Sequence, residues 1–349
     1  MRTLEWDFDR RELRMIIQRL LPARFEVNTY QDYREVATAI RDMVVRGAPA
    51  IGAAAGFGVA LAACYSQASS LQELKVELHQ AMDVLKVARP TAVNLAWALK
   101  RMLSVMDAHS DTVEELRQRL VDEAVRIADE DVEINHRMAR FGAGLIEDGD
   151  TIIHHCNTGS LAVVDWGTAL GVIRQAHESG KHIKVLVDET RPRLQGSRLT
   201  AWELQQYGIP YEIITDGAAG YFLRSGQAQK VFFGADRVAA NGDVANKVGS
   251  YMLALAAHAN DVPVYSVFPT SSVDLSLANG DLIPIEERDP REITHWYGHQ
   301  IAPEGLKVYN PAFDVTPHEL ITAIVTDKGV VFPPFTENLR KILPGFKKG

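Results

Sequence analysis

Short apolar runs alternate with helical patterns in the second half of the chain. The runs occupy residues 151–155, 183–187, 211–215, 230–234 and 262–267. Apolar residues recur at helical spacing between them, and this alternation is typical of a doubly wound parallel sheet. A polar motif follows each run. Because the carboxyl ends of parallel strands meet at one edge of a sheet, we expect these motifs to form a single site.

The first half of the chain has a different pattern. Polar and apolar residues alternate over residues 1–30, which predicts a small antiparallel sheet. Apolar spacing then predicts helices over residues 31–45, 48–64, 71–87, 88–102 and 111–146. The last helix is long and highly charged, and we expect it to connect two domains. The fold class is thus α/β, with the small antiparallel sheet and helices in residues 1–128 and the parallel sheet in residues 129–349.

Composition and charge narrow the classes of partner. The chain has 349 residues, of which 46% are hydrophobic and 23% charged, as in soluble globular proteins. Its net charge of -8 argues against a general binder of nucleic acid or of an anionic membrane. No N-terminal signal pattern occurs, and the most apolar stretch, residues 48–64, is expected to be too short to span a bilayer. Cys64 and Cys156 fit free thiols, so we expect a cytoplasmic protein.

Residues 151–173 carry the first candidate chemistry. They predict a strand, a tight polar turn over residues 156–159 and then a helix of small and apolar residues. Cys156 would then lie beside a helix N-terminus, whose N–H groups favour an anion and lower the pKa of a thiol. His154 and His155 are consecutive and should point to opposite faces of the strand, so we expect no metal there.

Asp236 follows the apolar run at residues 230–234. Partial burial at a strand end would raise the pKa of its carboxyl group into a range useful for acid-base catalysis. The alternative for Asp236 is a helix cap or an ion pair with Arg237. Asn246 and Lys247 are expected to open the next helix with a neutral donor and a cation.

Two arginines precede turns of small residues at predicted helix starts. Arg46 begins RGAPAIG, and Arg89 begins RPTAVN. A guanidinium group beside free backbone N–H groups can hold a phosphate. The alternative to phosphate binding is close helix packing for the turn after Arg46. For Arg89 the alternative is an ordinary surface arginine.

Gln195 and Gly196 offer an amide and an accessible backbone to a hydroxyl-rich ligand. The charged residues before them, at positions 188–193, could equally form a salt-linked loop. No strand is followed by G-x-G-x-x-G and no G-x-x-x-x-G-K-[ST] occurs, so a dinucleotide or nucleoside triphosphate cofactor is not expected. A hydrolase pairing Cys156 with His258 or His295 would find no support in their spacing.

Taken together, the motifs resemble a known family. Those that carry the resemblance are, in order, RGAPAIG, HCNTG, GTALGVIR, DETRPRLQGSRLTAWEL, GADRVAANGDVANKVGSY and IPIEER. They resemble the 5-methylthioribose-1-phosphate isomerases, whose superfamily also contains ribose-1,5-bisphosphate isomerases and the α, β and δ regulatory subunits of translation initiation factor 2B. The resemblance runs from about residue 13 to residue 331.

This resemblance implies a Rossmann-like sheet domain and an aldose-ketose isomerisation of a sugar phosphate in methionine salvage. It implies no metal or organic cofactor, and it implies a homodimer. Cys156 and Asp236 would be the catalytic pair, with Asp236 as acid at the ring oxygen and Cys156 shuttling a proton or stabilising the transition state. A hydride shift stays open. The residues that would hold the substrate are Arg46, Gly47, Ala48, Arg89, Gln195, Asn246 and Lys247.

Two stretches depart from the usual motifs of this family. They are AVVDW at residues 162–166 and TDGAAGYF at residues 215–222. They leave open 5-deoxyribose 1-phosphate or ribose 1,5-bisphosphate as the substrate. A non-catalytic regulatory protein is the alternative of a different class, and the presence of Cys156, Asp236 and the Asn246-Lys247 pair together argues against it.

Overall fold

The computed structural model describes residues 1–90, 92–296 and 298–343. Contacts within it define two compact units. Unit 1 contains Met1–Asn135 and the segment Gly159–Gly167, and unit 2 contains His136–Thr158 and the chain from Thr168 onward. The predicted division at residue 128 and the end of the first stretch of unit 1, at Asn135, both lie within one long helix.

Unit 1 combines a small sheet with helices. Its elements are β1 (Leu4–Asp7), β2 (Glu12–Ile16), β3 (Val27–Tyr30), α1 (Tyr33–Arg41), α2 (Ala48–Tyr65), α3 (Leu71–Ala88), α4 (Val93–Asp107) and the long α5 (Val113–Ala143), which continues into unit 2. The sheet has the order β1-β2-β3 and is antiparallel throughout. The predicted antiparallel sheet and helices are therefore confirmed, although α1 ends several residues before the predicted position.

Helix α2 forms the centre of the unit 1 core. Pro49 lies in its first turn, and residues of small volume fill most of its faces. A Cβ atom at Gly52 would lie 2.9 Å from the Asn94 carbonyl oxygen, so the beginnings of α2 and α4 are in close contact. By length and composition α2 is the one described helix able to cross a membrane, which corrects the expectation from residues 48–64; 72% of it is buried inside the protein, as in a core helix.

The segment Gly159–Gly167 follows the central strand of unit 2 but packs in unit 1. Gly159 and Gly167 pair as an isolated bridge, and a short 3-10 turn, Ser160–Ala162, lies between them. The Thr3 N–H donates to the Val164 carbonyl at 2.8 Å. The predicted helix directly after Cys156 is therefore wrong, because this loop intervenes and the helix begins only at Ala169.

In its described residues, unit 2 contains helices and three sheets, of seven, four and two strands. Its strands are β4 (Thr151–His154), β5 (Lys184–Asp188), β6 (Tyr211–Ile214), β7 (Lys230–Phe233), β8 (Arg237–Ala239), β9 (Val244–Lys247), β10 (Val264–Val267), β11 (Val273–Asp274), β12 (His295–Trp296), β13 (His299–Gln300), β14 (Phe313–Thr316), β15 (Ala323–Thr326) and β16 (Gly329–Val331). Its helices are α6 (Ala169–Glu178), α7 (Ala201–Gln206), α8 (Ala219–Arg224), α9 (Ser250–His258), α10 (Arg291–Thr294) and α11 (Phe335–Ile342).

The large sheet has the order β16-β15-β10-β7-β4-β5-β6. All neighbouring pairs are parallel except β15 with β16. The five strands predicted from the apolar runs all lie in this sheet, which confirms the parallel α/β fold. Its central strands β4, β5 and β7 end side by side, and this position brings the motifs after them together.

A second, four-stranded sheet of order β11-β8-β9-β14 lies beyond β7 in the chain. Strands β8 and β9 form an antiparallel hairpin with Arg237 opposite Ala245, and Gly242 takes a φ of 95° in its turn. Asn246 and Lys247 therefore lie in a strand, not at the start of a helix as predicted. Partner strands on both sides of β9 satisfy its backbone groups, so the chain stays extended until Gly249.

Candidate active site

Cys156 lies immediately after β4 in a strained and fully anchored turn. Its φ of 68° is in the left-handed region, which a residue with a side chain seldom adopts. The Cys156 N–H donates to the Thr190 hydroxyl at 2.9 Å, and the Cys156 carbonyl accepts from the Thr200 hydroxyl at 2.7 Å. Strain held in this way is a mark of functional sites, because the surroundings fix the side chain in one place.

The residues that anchor this turn belong to the loop and helix after β5. The segment Gly196–Thr200 is a π-helix, which occurs mostly at functional sites. A Cβ atom at Gly196 would lie 1.7 Å from the Asp188 carbonyl oxygen, so only glycine fits. The buried Glu203 carboxylate accepts from the Asn157 amide at 2.8 Å. The sequence analysis did not identify these supporting residues, although they lie within the motif DETRPRLQGSRLTAWEL.

Gln195 precedes the π-helix and is buried, with 8% of its surface exposed. Within the described part of the chain, its side-chain oxygen has no hydrogen-bond partner. A buried amide oxygen without a partner costs free energy unless a ligand or water supplies a donor. A sugar hydroxyl is such a donor, so the geometry supports the predicted binding role of Gln195.

Lys247 lies at the end of β9 in unit 2, and its side chain is partly buried. Burial lowers the pKa of its ammonium group, while the charges of Cys156 and Asp236 act in the opposite direction. Its Nζ donates to the Ala312 carbonyl at 2.7 Å and lies 4.7 Å from the centre of the Phe313 ring. A partly desolvated ammonium group is well suited to bind a phosphate or to stabilise developing negative charge.

Asp236 lies between β7 and β8, close to the start of the hairpin. Its N–H donates to the Ala245 carbonyl at 2.9 Å, which places its backbone beside the Asn246-Lys247 end of β9. The side chain is exposed, so the predicted burial of Asp236 is wrong. Arg237 lies 3.9 Å from Asp274, so this arginine has a carboxylate partner other than Asp236. The charges of Cys156 and Asp236 both act on Lys247, and Asn246 precedes Lys247 in β9.

The remaining predicted residues lie in unit 1. Gly47 is the N-cap of α2 with a φ of 93°, and Arg46 and Ala48 flank it. Arg89 ends α3 and lies in the connection to α4. Since α2 and α4 are in contact near their N-termini, both arginines lie near one end of a helix pair, as anion binding requires.

A buried pair of His155 and Asp188 supports the turn at Cys156. The sequence analysis did not predict this pair. The His155 Nδ1 lies 2.8 Å from the Asp188 Oδ2, and both side chains are almost fully inaccessible. The sequence analysis left open a salt-linked loop at residues 188–193, whereas Asp188 pairs with His155. Asp216 completes a possible ligand set for a metal, yet its two carboxylate oxygens accept the N–H groups of Thr190 and Arg191 at 2.7 Å. The donor set is therefore arranged as a hydrogen-bond network.

The chain matches known proteins along most of its length. The family model of the Initiation factor 2 subunit family (IF-2B) matches residues 44–333. Methylthioribose-1-phosphate isomerase from Thermosipho africanus is 52% identical over 340 residues, which cover 97% of each chain. This chain belongs to the methylthioribose-1-phosphate isomerase family.

Solved structures of similar fold extend across the larger family. The chain resembles 5-methylthioribose 1-phosphate isomerase from Pyrococcus horikoshii OT3 with a TM-score of 0.94 and 48% identity, over 98% of this chain and 95% of that chain. It also resembles a structure described as translation initiation factor eIF-2B, subunit delta, from A. fulgidus, with a TM-score of 0.91 and 43% identity, over 98% and 99% of the two chains. The methylthioribose-1-phosphate isomerase family thus shares its fold with proteins named for translation.

Proposed function

We propose that this chain converts 5-methylthioribose 1-phosphate into 5-methylthioribulose 1-phosphate in methionine salvage, with Cys156 and Asp236 as its catalytic pair. The chain is an isomerase by family. The observation that carries the assignment of the site is the strained Cys156 turn, which Thr190 and Thr200 hold by hydrogen bonds at both sides of the residue.

The chemistry explains why such a site is needed. A phosphate on O1 prevents ordinary opening of the sugar ring, so the ring C–O bond must break with help from an acid. Asp236 donates the proton to the ring oxygen. Cys156 then removes the proton from C2 and returns it to C1, and the proton of the C2 hydroxyl returns to Asp236, which leaves a ketone at C2, a CH₂ group at C1 and Asp236 protonated again. No atom is gained or lost, so the reaction needs no oxidant or reductant.

Binding of the substrate is divided between charge and hydrogen bonds. In unit 1, Arg46 and Arg89 offer cations for the phosphate, together with backbone N–H groups at Gly47 and Ala48. In unit 2, Lys247 offers a further cation for the substrate. The amides of Gln195 and Asn246 bind sugar hydroxyls, and the unsatisfied oxygen of Gln195 supports this role. Because Lys247 is partly desolvated, its attraction to a phosphate is stronger than in water.

The proposal includes a homodimer in the cytoplasm. The homodimer rests on the resemblance to the family, and the location rests on two free cysteines in an acidic chain. Light scattering after size-exclusion chromatography should give twice the chain mass of 38.6 kDa. A mass of one chain would refute the dimer without affecting the chemistry.

A substrate comparison tests the proposed reaction. We expect purified protein to form a ketose faster from 5-methylthioribose 1-phosphate than from 5-deoxyribose 1-phosphate or ribose 1,5-bisphosphate, measured by NMR at equal concentrations. Faster conversion of either other sugar would show that the proposed methylthio group at C5 of the substrate is wrong. The proposed isomerase chemistry would be unaffected. Folded protein that converts none of the three would favour the regulatory alternative.

A further inference from the structure

The His155–Asp188 pair links three parts of unit 2. His155 ends the β4 strand region directly before Cys156, and Asp188 ends the neighbouring strand β5. On the other side of the ring, the His155 Nε2 lies 3.0 Å from the carbonyl oxygen of Val248, the residue after Lys247. One imidazole ring therefore contacts both strand ends that carry the proposed thiol and the buried ammonium group.

The hydrogen-bond partners fix the protonation of this ring. A carbonyl oxygen only accepts, so the His155 Nε2 carries a proton that it donates to Val248. The remaining nitrogen shares a proton with the Asp188 carboxyl group across 2.8 Å. Burial alone would lower the pKa of His155, but the hydrogen bond and charge of Asp188 outweigh it and raise that pKa. The ring is thus held at both nitrogens and cannot flip.

The backbone after Lys247 packs against the imidazole ring of His155. Gly249 has a φ of 106°, and a Cβ atom there would lie 2.8 Å from the His155 Cε1. This contact is independent of the hydrogen bonds and shows that the 247–249 loop is packed against the imidazole. Both side chains are almost fully buried, and these contacts enclose the imidazole on both sides.

We propose that His155 and Asp188 are positioning residues that hold the Cys156 turn against the Lys247–Gly249 loop and so set the spacing of thiol and ammonium group. The proposal rests on the proposed function for its effect on turnover. Loss of the pair moves Cys156 and Lys247 apart, and a displacement of about 1 Å at reacting groups can cost on the order of 100-fold in rate.

Three variants and one matched control test this role in a Cys64→Ser background, where Cys156 is the remaining thiol. His155→Gln and Asp188→Ala break the pair, whereas Asp188→Asn keeps an oxygen that accepts from the ring. His318→Gln is the control, because His318 and Asp243 form another pair in unit 2, also at 2.8 Å, between the segment after β14 and the β8–β9 turn. Melting curves establish that each variant is folded.

We expect kcat to fall about 100-fold in His155→Gln and Asp188→Ala, about 10-fold in Asp188→Asn, and less than 3-fold in the control, with KM within about 3-fold throughout. We also expect the pH midpoint for alkylation of Cys156 by iodoacetamide to rise in the first three variants, since the ammonium group no longer stabilises the thiolate.

The alkylation measurement needs no substrate, so it separates this proposal from the proposed function. Wild-type protein without isomerase activity would refute the proposed function, while a raised alkylation midpoint in Asp188→Asn would still support the positioning pair. An unchanged midpoint and unchanged kcat in folded Asp188→Asn would overturn the positioning role, even if His155→Gln fails to fold.

Discussion

Gly196 shows how one residue type is dictated by the backbone around it. A Cβ atom at this position would overlap the Asp188 carbonyl oxygen at 1.7 Å and lie 2.9 Å from the Thr190 hydroxyl. We expect Gly196→Ala to lower the free energy of unfolding by about 3 kcal/mol, because the π-helix must move away from β5. Urea unfolding measures this loss.

The control for that substitution is Gly217→Ala. Among described residues nothing lies within 4 Å of a Cβ at Gly217, so its free energy of unfolding should change by less than about 1 kcal/mol. Equal losses in the two variants would contradict the account of the Gly196 contact. Isomerase activity should fall in Gly196→Ala alone, since the π-helix anchors the Cys156 carbonyl through Thr200.

The sequence predicted which residues are candidates for the site and where they lie along the chain. It predicted much less about their burial and their hydrogen-bond partners. Cys156 and Asp236 could be singled out because they follow apolar runs in a parallel-sheet pattern. The exposure of Asp236 and the partner of Asp188 could not, because both depend on side chains from distant segments. His155 lies 33 positions before Asp188 in the chain, and only the register of β4 with β5 makes them neighbours.

At the scale of elements, the N-terminus of α2 depends on its contact with the segment Gly159–Gly167. Gly47 takes a φ of 93°, and a Cβ atom there would lie 2.0 Å from the Ala162 carbonyl oxygen. Gly180 has a similar φ of 91° with nothing described within 4 Å of a Cβ. A side chain would therefore meet the same unfavourable positive φ at both positions, but it would clash with a neighbouring segment only at Gly47.

We expect Gly180→Ala to lower the free energy of unfolding by about 1 kcal/mol, which is the cost of the positive φ alone. Gly47→Ala should lower it by about 2 kcal/mol more, because the α2 terminus must also separate from Ala162. Chemical denaturation of both variants measures the difference. Similar losses would show that the contact with Ala162 has no energetic weight.

Elements were predicted well where hydrophobic spacing is regular. The apolar runs identified five strands of the parallel sheet, and helical spacing identified α2, α3 and α5. The loop at residues 159–167 and the strand β9 were mistaken for helical starts. Their conformations are set by pairing, Gly159 with Gly167 and β9 with β8 and β14, which local residue spacing does not encode.

For the molecule as a whole, Asp131 makes stability depend on pH. Burial raises the pKa of its carboxyl group to about 7, although the Val164 N–H donates to it at 2.8 Å and its hydrogen bonds oppose the shift. The folded chain therefore holds a proton that the unfolded chain releases near pH 4. Stability from this group is lost as pH rises from about 4 to 7.

Replacement of Asp131 by Asn keeps an oxygen for the Val164 N–H and removes the ionisation. Relative to wild type, we expect the free energy of unfolding of Asp131→Asn to rise by about 4 kcal/mol between pH 4 and pH 8. Asp129→Asn removes an exposed carboxyl group from the same helix and serves as the control. A difference for Asp131→Asn that stays constant with pH would contradict this role.

The fold class of the whole molecule could be predicted from the sequence, but the arrangement of its strands and loops could not. The change from helical spacing to short apolar runs predicted a helical region followed by a parallel sheet. The order of the strands and the return of residues 159–167 to unit 1 could not be predicted, because many strand orders bury the same apolar runs. The motifs after the strands nevertheless named candidate residues in unit 2, and the turns at the predicted helix starts named candidate residues in unit 1.

The most direct test of the account is ketose formation from 5-methylthioribose 1-phosphate by wild type, Cys156→Ser, Asp236→Asn and Cys64→Ser. We predict that activity falls at least 1,000-fold in the first two variants, since each removes a group that transfers a proton, and stays near wild type in Cys64→Ser. Near wild-type activity in folded Cys156→Ser or Asp236→Asn would contradict the proposed catalytic pair.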